Sequence, residues 1–372
     1  MSSINPLISG LKCIRCHTHF PIADYFEGCP ECARAGYPAS LAFDYQRFPD
    51  TPEPFDRWQV YPEAITIGKG ATPLIDLAPL ARELGISALA LKYEGANPTG
   101  SHKDRMSRFV VERAREIGAR TVAAASSGNA GVSLAAYAAE AGLDCVIVTT
   151  RDISEHWSSA IKRHGADLIF TETVEERWTL MAREVREGSW YPATNFILPA
   201  VGSNPFGVDG YRSIALELQK QAPDCTDVIV PTSRGDLLWG IAQGFHDLVV
   251  ARYRSAVPRL HAVEPFPRLR RVLAGADYRG TFSGTSDLTS IGGSTVTFQA
   301  LAALQSTRGS AIVADNQHTT EDQLRLCKMG VRLELSSASA LTGLRGLLRE
   351  RSIHHGASVI LLGTATERPN LR

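Results

Sequence analysis

Asn97-Pro98-Thr99-Gly100-Ser101-His102-Lys103-Asp104-Arg105 reads as a strand-to-helix junction with a lysine held at the turn. Asn-Pro opens a turn, and Gly100 permits backbone angles that other residues resist. From Asp104 to about Gly118, apolar Met106, Phe109, Val110, Ala114 and Ile117 recur at helical spacing. Upstream, Ala88 to Tyr93 has the composition of a short buried strand. An amine fixed at such a junction can condense with a carbonyl. Helix N–H groups and Arg105 favour its neutral form. An ordinary surface lysine at a helix start fits the same local pattern.

Working outward, strands and helices alternate. Thr121 to Ala125, Asp144 to Thr149 and Ala166 to Phe170 are strands, with helices at about 129–142 and 155–164 between them. A second run has a helix from about Tyr211 to Gln221, strand Asp227 to Val230, helix 237–253 and strand Leu260 to Val263. It continues with a helix near 296–305, strand Ala311 to Ala314, helices 319–329 and 336–350, and strand Ser358 to Leu362. This alternation predicts an α/β fold of two lobes with a cleft between them, each a mostly parallel sheet flanked by helices. Two more junctions carry polar chemistry. Ser126-Ser127-Gly128-Asn129 follows a strand and opens a helix, where backbone N–H groups and the helix dipole favour an anion. Capping explains one polar residue there, not four in a row. Pro231-Thr232-Ser233-Arg234-Gly235-Asp236 occupies the same kind of position.

Residues 1–40 stand apart. Cys13-x-x-Cys16 and Cys29-x-x-Cys32 are twelve residues apart. Two such knuckles can present four thiolates to one tetrahedral Zn2+, and a closed four-Cys site is structural rather than catalytic. The alternative is four free thiols in a loop. Neither pair opens a helix after a strand, which argues against a redox role. Residues 41–70, rich in Pro and aromatics, are expected to form an irregular arm packed on the main body. The 372 residues carry 39 Lys+Arg against 39 Asp+Glu, a zero net charge that argues against a nucleic-acid or anionic-membrane partner. No apolar run reaches membrane-spanning length, and the N-terminus lacks a secretory pattern, so a cytoplasmic protein is expected.

The lysine stretch resembles the cofactor-lysine motif of fold-type-II pyridoxal-phosphate (PLP) enzymes. It is most similar to that of the threonine synthases, with His102 in place of a Phe. The resemblance implies that Lys103 carries the Schiff-base link to PLP and acts as base at Cα, and that Thr99 and Ser101 meet the substrate. Ser126-Ser127-Gly128-Asn129 closely resembles the corresponding threonine synthase loop. This implies that Asn129 contacts the cofactor 3'-oxygen and that Ser126 and Ser127 hold the substrate carboxylate. The 231–236 stretch matches poorly the Gly-rich loop that wraps the cofactor phosphate. Ser233, Arg234 and Gly235 are the candidates, with Arg234 lying between the phosphate and Asp236. A hydroxyl on the pyridine nitrogen falls to Thr364, with Thr366 the alternative. Gly207–Arg212, Ser290–Ser294 and Glu334–Ala338 also resemble this group, and Arg212 is a candidate grip for a substrate phosphate or carboxylate. Several relatives carry a similar N-terminal zinc-ribbon-like element, which implies structural Zn2+ on Cys13, Cys16, Cys29 and Cys32.

The implied domains are the ribbon at 1–40, a large PLP-binding lobe at 41–103 and 200–372, and a small lobe at 104–199. The implied reaction is elimination or replacement on a small-molecule amino acid by a homodimeric lyase, with O-phosphohomoserine giving threonine and phosphate. The alternatives are a β-eliminating or β-replacing enzyme on serine, threonine or O-phosphoserine, and a zinc-ribbon adaptor with an inactive enzyme body.

Overall fold

Short runs of Val, Ile, Leu and Ala make the strands, and amphipathic segments between them make the helices. The computed structural model describes residues 3–51, 53–62 and 71–368. In chain order the strands are β1 (Ile8–Cys13), β2 (His19–Phe20), β3 (Leu41–Tyr45), β4 (Leu74–Asp76), β5 (Ala88–Tyr93), β6 (Thr121–Ala125), β7 (Asp144–Thr150), β8 (Asp167–Thr171), β9 (Tyr191–Pro192), β10 (Asp227–Pro231), β11 (Arg259–Glu264), β12 (Ala311–Val313) and β13 (Ser358–Gly363). The helices are α1 (Pro30–Arg34), α2 (Ala78–Leu84), α3 (Lys103–Glu116), α4 (Asn129–Ala141), α5 (Glu155–Arg163), α6 (Val174–Arg186), α7 (Pro205–Asp209), α8 (Arg212–Gln221), α9 (Asp236–Val250), α10 (Leu269–Leu273), α11 (Phe298–Ser306), α12 (Asn316–Lys328) and α13 (Leu335–Arg349). The described residues fall into two compact units, 3–62 (less residue 52) with 103–213, and 71–102 with 214–368.

The first unit holds two sheets. β2-β1-β3 is antiparallel, with Leu11 opposite both Phe20 and Phe43. β8-β7-β6-β9 is parallel. The lysine helix α3 packs against α4 and α7. Its contact with α7 is unusually close. A Cβ on Gly207 would lie 2.6 Å from Met106 Cγ, and one on Gly210 would lie 2.0 Å from the Arg105 carbonyl oxygen. Only glycine lets the two backbones approach this far.

Two expectations differ from what this unit contains. Residues 41–45 are a strand rather than part of an irregular arm, because Leu41 and Phe43 alternate into the core against β1. The rest of the described arm is ordered by its aromatics. Phe48 stacks on Trp58 at 5.2 Å, and Tyr61 lies between Phe109 and Phe206 at 6.3 and 6.2 Å. The end of the expected arm, 63–70, lies outside the described residues. The sequence reading also left out α6, whose Trp178 and Met181 are buried one turn apart.

The second unit is built on one six-stranded sheet, β12-β11-β10-β13-β5-β4, parallel except at the β4 edge. Leu89, Leu91, Ile229, Val263, Leu341, Leu344, Val359 and Leu361 share its core. Because β5, β13 and β10 are parallel neighbours, the loops after them emerge at one end. In open α/β sheets that end is where ligands bind. A buried polar cluster lies beside β5. Lys92 pairs with Glu217 and donates to the Thr72 carbonyl and to Gln221 Oε1, both at 2.7 Å. Removing either member of such a pair typically costs about 3–5 kcal/mol, since the other charge is left buried. Among the described residues no helix is long and apolar enough to cross a membrane.

Candidate active site

The second unit fixes the lysine loop from both sides. At its start, Glu94 is fully buried and accepts hydrogen bonds from Thr72 Oγ1 at 2.8 Å and from Asn97 Nδ2 at 2.9 Å. The Asn97 carbonyl then closes a turn onto the Gly100 N–H at 2.8 Å. The rest of the loop is stitched to the segment after β13. Ser101 bridges Ala365, the His102 N–H donates to the Thr364 carbonyl at 2.9 Å, and the Thr366 N–H donates to the Gly100 carbonyl at 2.9 Å. Arg368 donates to the Thr99 carbonyl. Thr99, Ser101 and Thr364 are therefore brought together at the carboxyl end of the sheet, with Ser101 and Thr364 buried. The two candidate threonines differ. The Thr366 hydroxyl is engaged, accepting from Tyr93 Oη at 3.0 Å and donating to the Arg332 carbonyl at 3.3 Å.

Ser233, Arg234 and Gly235 lie at the same end, between β10 and α9. Gly235 has φ +108°, and a Cβ there would lie 2.3 Å from Ala300 Cβ. The loop thus turns sharply against α11 before α9 starts. Arg234 Nε donates to Thr295 Oγ1 at 3.2 Å, and its carbonyl accepts from Thr297 Oγ1 at 2.8 Å. Burial lowers the Arg234 pKa, and the Asp236 charge opposes that shift. Arg268 was not anticipated from the sequence. It is fully buried and ties two loops together, donating to the Thr232 carbonyl at 2.9 Å and to the Gly293 carbonyl. Its Nε lies 3.6 Å from Glu264. Burial pushes Arg268 down to about 10; Glu264 opposes the shift and the Arg234 charge adds to it. The Arg234 charge works against that of Arg268, and an anion beside them would relieve it. This donor set fits a cofactor phosphate.

In the first unit Lys103 opens α3, and its Nζ donates to Tyr211 Oη at 3.3 Å. Tyr211 is fully buried and belongs to the Gly207–Arg212 stretch. Ser126 and Ser127 precede α4, which Asn129 begins. Ser126 Oγ accepts from the Gly128 and Gly131 N–H groups at 3.3 and 3.0 Å, so its side chain caps the helix. Ser127 Oγ lies 2.8 Å from Thr149 Oγ1 and accepts from Arg177 Nη1 at 3.3 Å. Arg177 comes from α6 and brings a positive charge to this loop. Arg212, the candidate substrate grip, is held by the first unit itself. It is buried, donating to Asp209 at 3.1 Å and to the Trp58 carbonyl at 2.6 Å, with its guanidinium 4.0 Å from the Tyr45 ring centroid. Asp209 also accepts from Tyr45 and the Val60 N–H, both at 3.0 Å. The pair locks the aromatic arm.

The four N-terminal cysteines meet. Their sulfurs all lie within 4.8 Å of one another, with Cys13 to Cys32 at 3.6 Å and Cys16 to Cys29 at 3.7 Å. Four thiolates about 2.3 Å from one Zn2+ would be about 3.8 Å apart, so the set fits a tetrahedral ion. Burial pushes the Cys13 and Cys29 thiols up. Desolvation acts on Cys16 in the same sense, but hydrogen bonds with Thr18 carry it down to about 6. The four free thiols converge rather than lying apart along the loop.

Residues 65–364 match the family described as "Pyridoxal-phosphate dependent enzyme". The chain is 28% identical to a threonine synthase of Methanocaldococcus jannaschii over 95% of this chain and 91% of that protein. It is 29% identical to a threonine synthase of Halalkalibacterium halodurans over 82% of this chain and 85% of that one. Among solved structures it is similar to a threonine deaminase of Solanum lycopersicum. That match has a TM-score of 0.67 and 19% identity over 80% of this chain and 84% of the other, a likeness of fold.

Proposed function

The chain belongs to the pyridoxal-phosphate dependent enzyme family, and on that premise we propose that it is a threonine synthase-like lyase, converting O-phosphohomoserine and water to threonine and phosphate. The observation that carries this reading is the near full-length similarity to threonine synthases, with their lysine motif on the first turn of α3. When bound, PLP supplies the electron sink for charge developing at Cα. Lys103 Nζ holds the cofactor, then takes the Cα proton and returns a proton further along the substrate. The Tyr211 hydroxyl, 3.3 Å from Nζ, orients that amine. Ser126, Ser127 and the N-terminus of α4 receive the substrate carboxylate, and Asn129 meets the 3'-oxygen of the cofactor. Thr99 and Ser101 line the substrate side of the lysine loop.

Thr364 is the residue for the pyridine nitrogen, because the Thr366 hydroxyl is engaged with Tyr93 and Arg332. Ser233, Arg234 and Gly235 take the cofactor phosphate, with Arg268 holding their loop in place. Arg212 leaves the substrate set, since Asp209 and Trp58 occupy it. Arg177 enters that set as the charge beside Ser127. Cys13, Cys16, Cys29 and Cys32 hold one structural Zn2+. We further assign the ribbon and its loop to the body carrying 103–213, expect a homodimer, and place the protein in the cytoplasm.

A second reading, β-elimination or β-replacement on serine, threonine or O-phosphoserine, is favoured by one observation. The arginine expected to grip a γ-phosphate is committed elsewhere. The test is phosphate and threonine release from O-phosphohomoserine, beside phosphate release from O-phosphoserine and 2-oxoacid release from serine and threonine. Lys103→Ala should abolish all turnover. Activity on O-phosphoserine, serine or threonine but not on O-phosphohomoserine selects the second reading. No activity on any of them with cofactor bound sinks both.

A further inference from the structure

The loop between the two Cys pairs does not stop at the metal ligands. Phe26 packs into the core formed by Ala123, Val148, Met181 and Phe196, and meets Tyr191 edge-on at 5.0 Å. Asp24 takes the fork of Arg113, with Nε to Oδ1 at 3.2 Å and Nη2 to Oδ2 at 3.0 Å. Tyr191 Oη also donates to Asp24, at 2.9 Å. Arg113 lies on α3, the helix that Lys103 begins, about three turns further on. There it also donates to Glu116 at 2.8 Å and lies 4.6 Å from the Phe206 ring centroid. Glu116 in turn accepts from Tyr61. The far end of the lysine helix is thus held by a bidentate ion pair whose carboxylate rides on the loop from Cys16 to Cys29.

Those two cysteines close that loop when both bind one ion. Closing a loop removes freedom from its interior, so Asp24 is presented to Arg113 at a lower entropic cost. We propose that the four-cysteine metal centre and PLP binding are thermodynamically linked through Asp24 and Arg113, with the loop acting as a positioning strut for the Lys103 helix. Metal occupancy then sets how well α3 is held, and so how well Lys103 receives the cofactor. Linkage requires the reverse: cofactor binding must strengthen metal binding by the same factor. The proposal does not depend on which amino acid is the substrate.

The experiment reads binding rather than turnover. PLP affinity is measured for zinc-loaded and chelator-stripped protein. Zinc affinity is measured by chelator competition with and without PLP. The full-length wild type is compared with Asp24→Asn, which keeps all four cysteines. Hydrogen exchange of residues 103–116 accompanies each state. In the wild type both affinities should change roughly tenfold, within the usual range for coupled sites, and exchange near Arg113 should quicken on zinc removal. In zinc-loaded Asp24→Asn, PLP should already bind weakly, exchange near Arg113 should already be fast, and stripping should change the affinity less than about twofold. Full wild-type coupling in Asp24→Asn would overturn the proposal. So would wild-type PLP affinity that ignores zinc, or a protein that binds no zinc. If stripping unfolds the ribbon outright, the zinc-loaded Asp24→Asn arm still decides. Wild-type PLP affinity and exchange there would refute the strut.

Discussion

Two junctions in this protein share one architecture and draw their charge from different places. Ser126-Ser127-Gly128-Asn129 lies between β6 and α4, and Thr232-Ser233-Arg234-Gly235 between β10 and α9. In the first, Ser126 turns back to cap its own helix, and a cation, Arg177, arrives from a different helix. In the second the cation is in the loop, a second arginine is buried behind it, and Asp236 begins the helix. The backbones differ as well. Gly128 has φ −168°, open to any residue, and a Cβ there would lie 3.8 Å from the Trp157 ring. Gly235 has φ +108° and no room for a Cβ. A strand-to-helix turn supplies the donors; where the charge comes from decides what the turn can tolerate.

Substitutions can break this contrast, and the largest effect belongs to Gly235→Ala. Positive φ and overlap with Ala300 should together cost about 3 kcal/mol or more of stability and displace the phosphate loop. Thermal unfolding and PLP titration would show both. Arg234→Ala comes next, weakening PLP binding by about 2–4 kcal/mol, because a charge-assisted contact is lost and Asp236 then faces the phosphate. Asp236→Asn in that background should restore part of the affinity. Strict additivity across the four proteins would show that Arg234 does not screen Asp236. Arg177→Ala should raise KM for the substrate roughly tenfold, about 1.4 kcal/mol, while PLP affinity stays within about twofold. Steady-state kinetics beside a PLP titration separates the two; a loss of cofactor instead would move Arg177 out of the substrate set. Gly128→Ala should be the mildest, with a stability change within about 1 kcal/mol in differential scanning calorimetry.

The same contrast explains what the sequence disclosed. The placement of Lys103 and Ser126–Asn129 at helix starts, and the convergence of the Cys pairs, were legible because each rests on a few consecutive residues. The alternating strands likewise announced the parallel sheets, since βαβ periodicity survives without knowledge of packing. The contacts of Tyr211, Arg177 and Arg268 were not legible, because each reaches a residue far from it in the chain. α6 went unread although Trp178, Met181 and Val185 carry a helical repeat. Arg212 has its contacts for a local reason. Asp209 stands one turn before it, the spacing of a helical ion pair, and the aromatic arm covers both.

The position of β13 bears on how the protein is made. It lies between β5 and β10 in the middle of its sheet, yet residues 358–368 leave the ribosome after every other strand and helix of that unit. Until they emerge, β5 lacks its parallel neighbour and the lysine loop lacks Thr364, Ala365 and Thr366 as partners. The six-stranded sheet therefore cannot close before residues 358–363 have emerged. β5 waits beside an open edge, which is aggregation-prone while unpaired. A nascent chain halted before residue 358 would have made the lysine and the loops after β6 and β10, but not the strand that joins the two sides of the sheet.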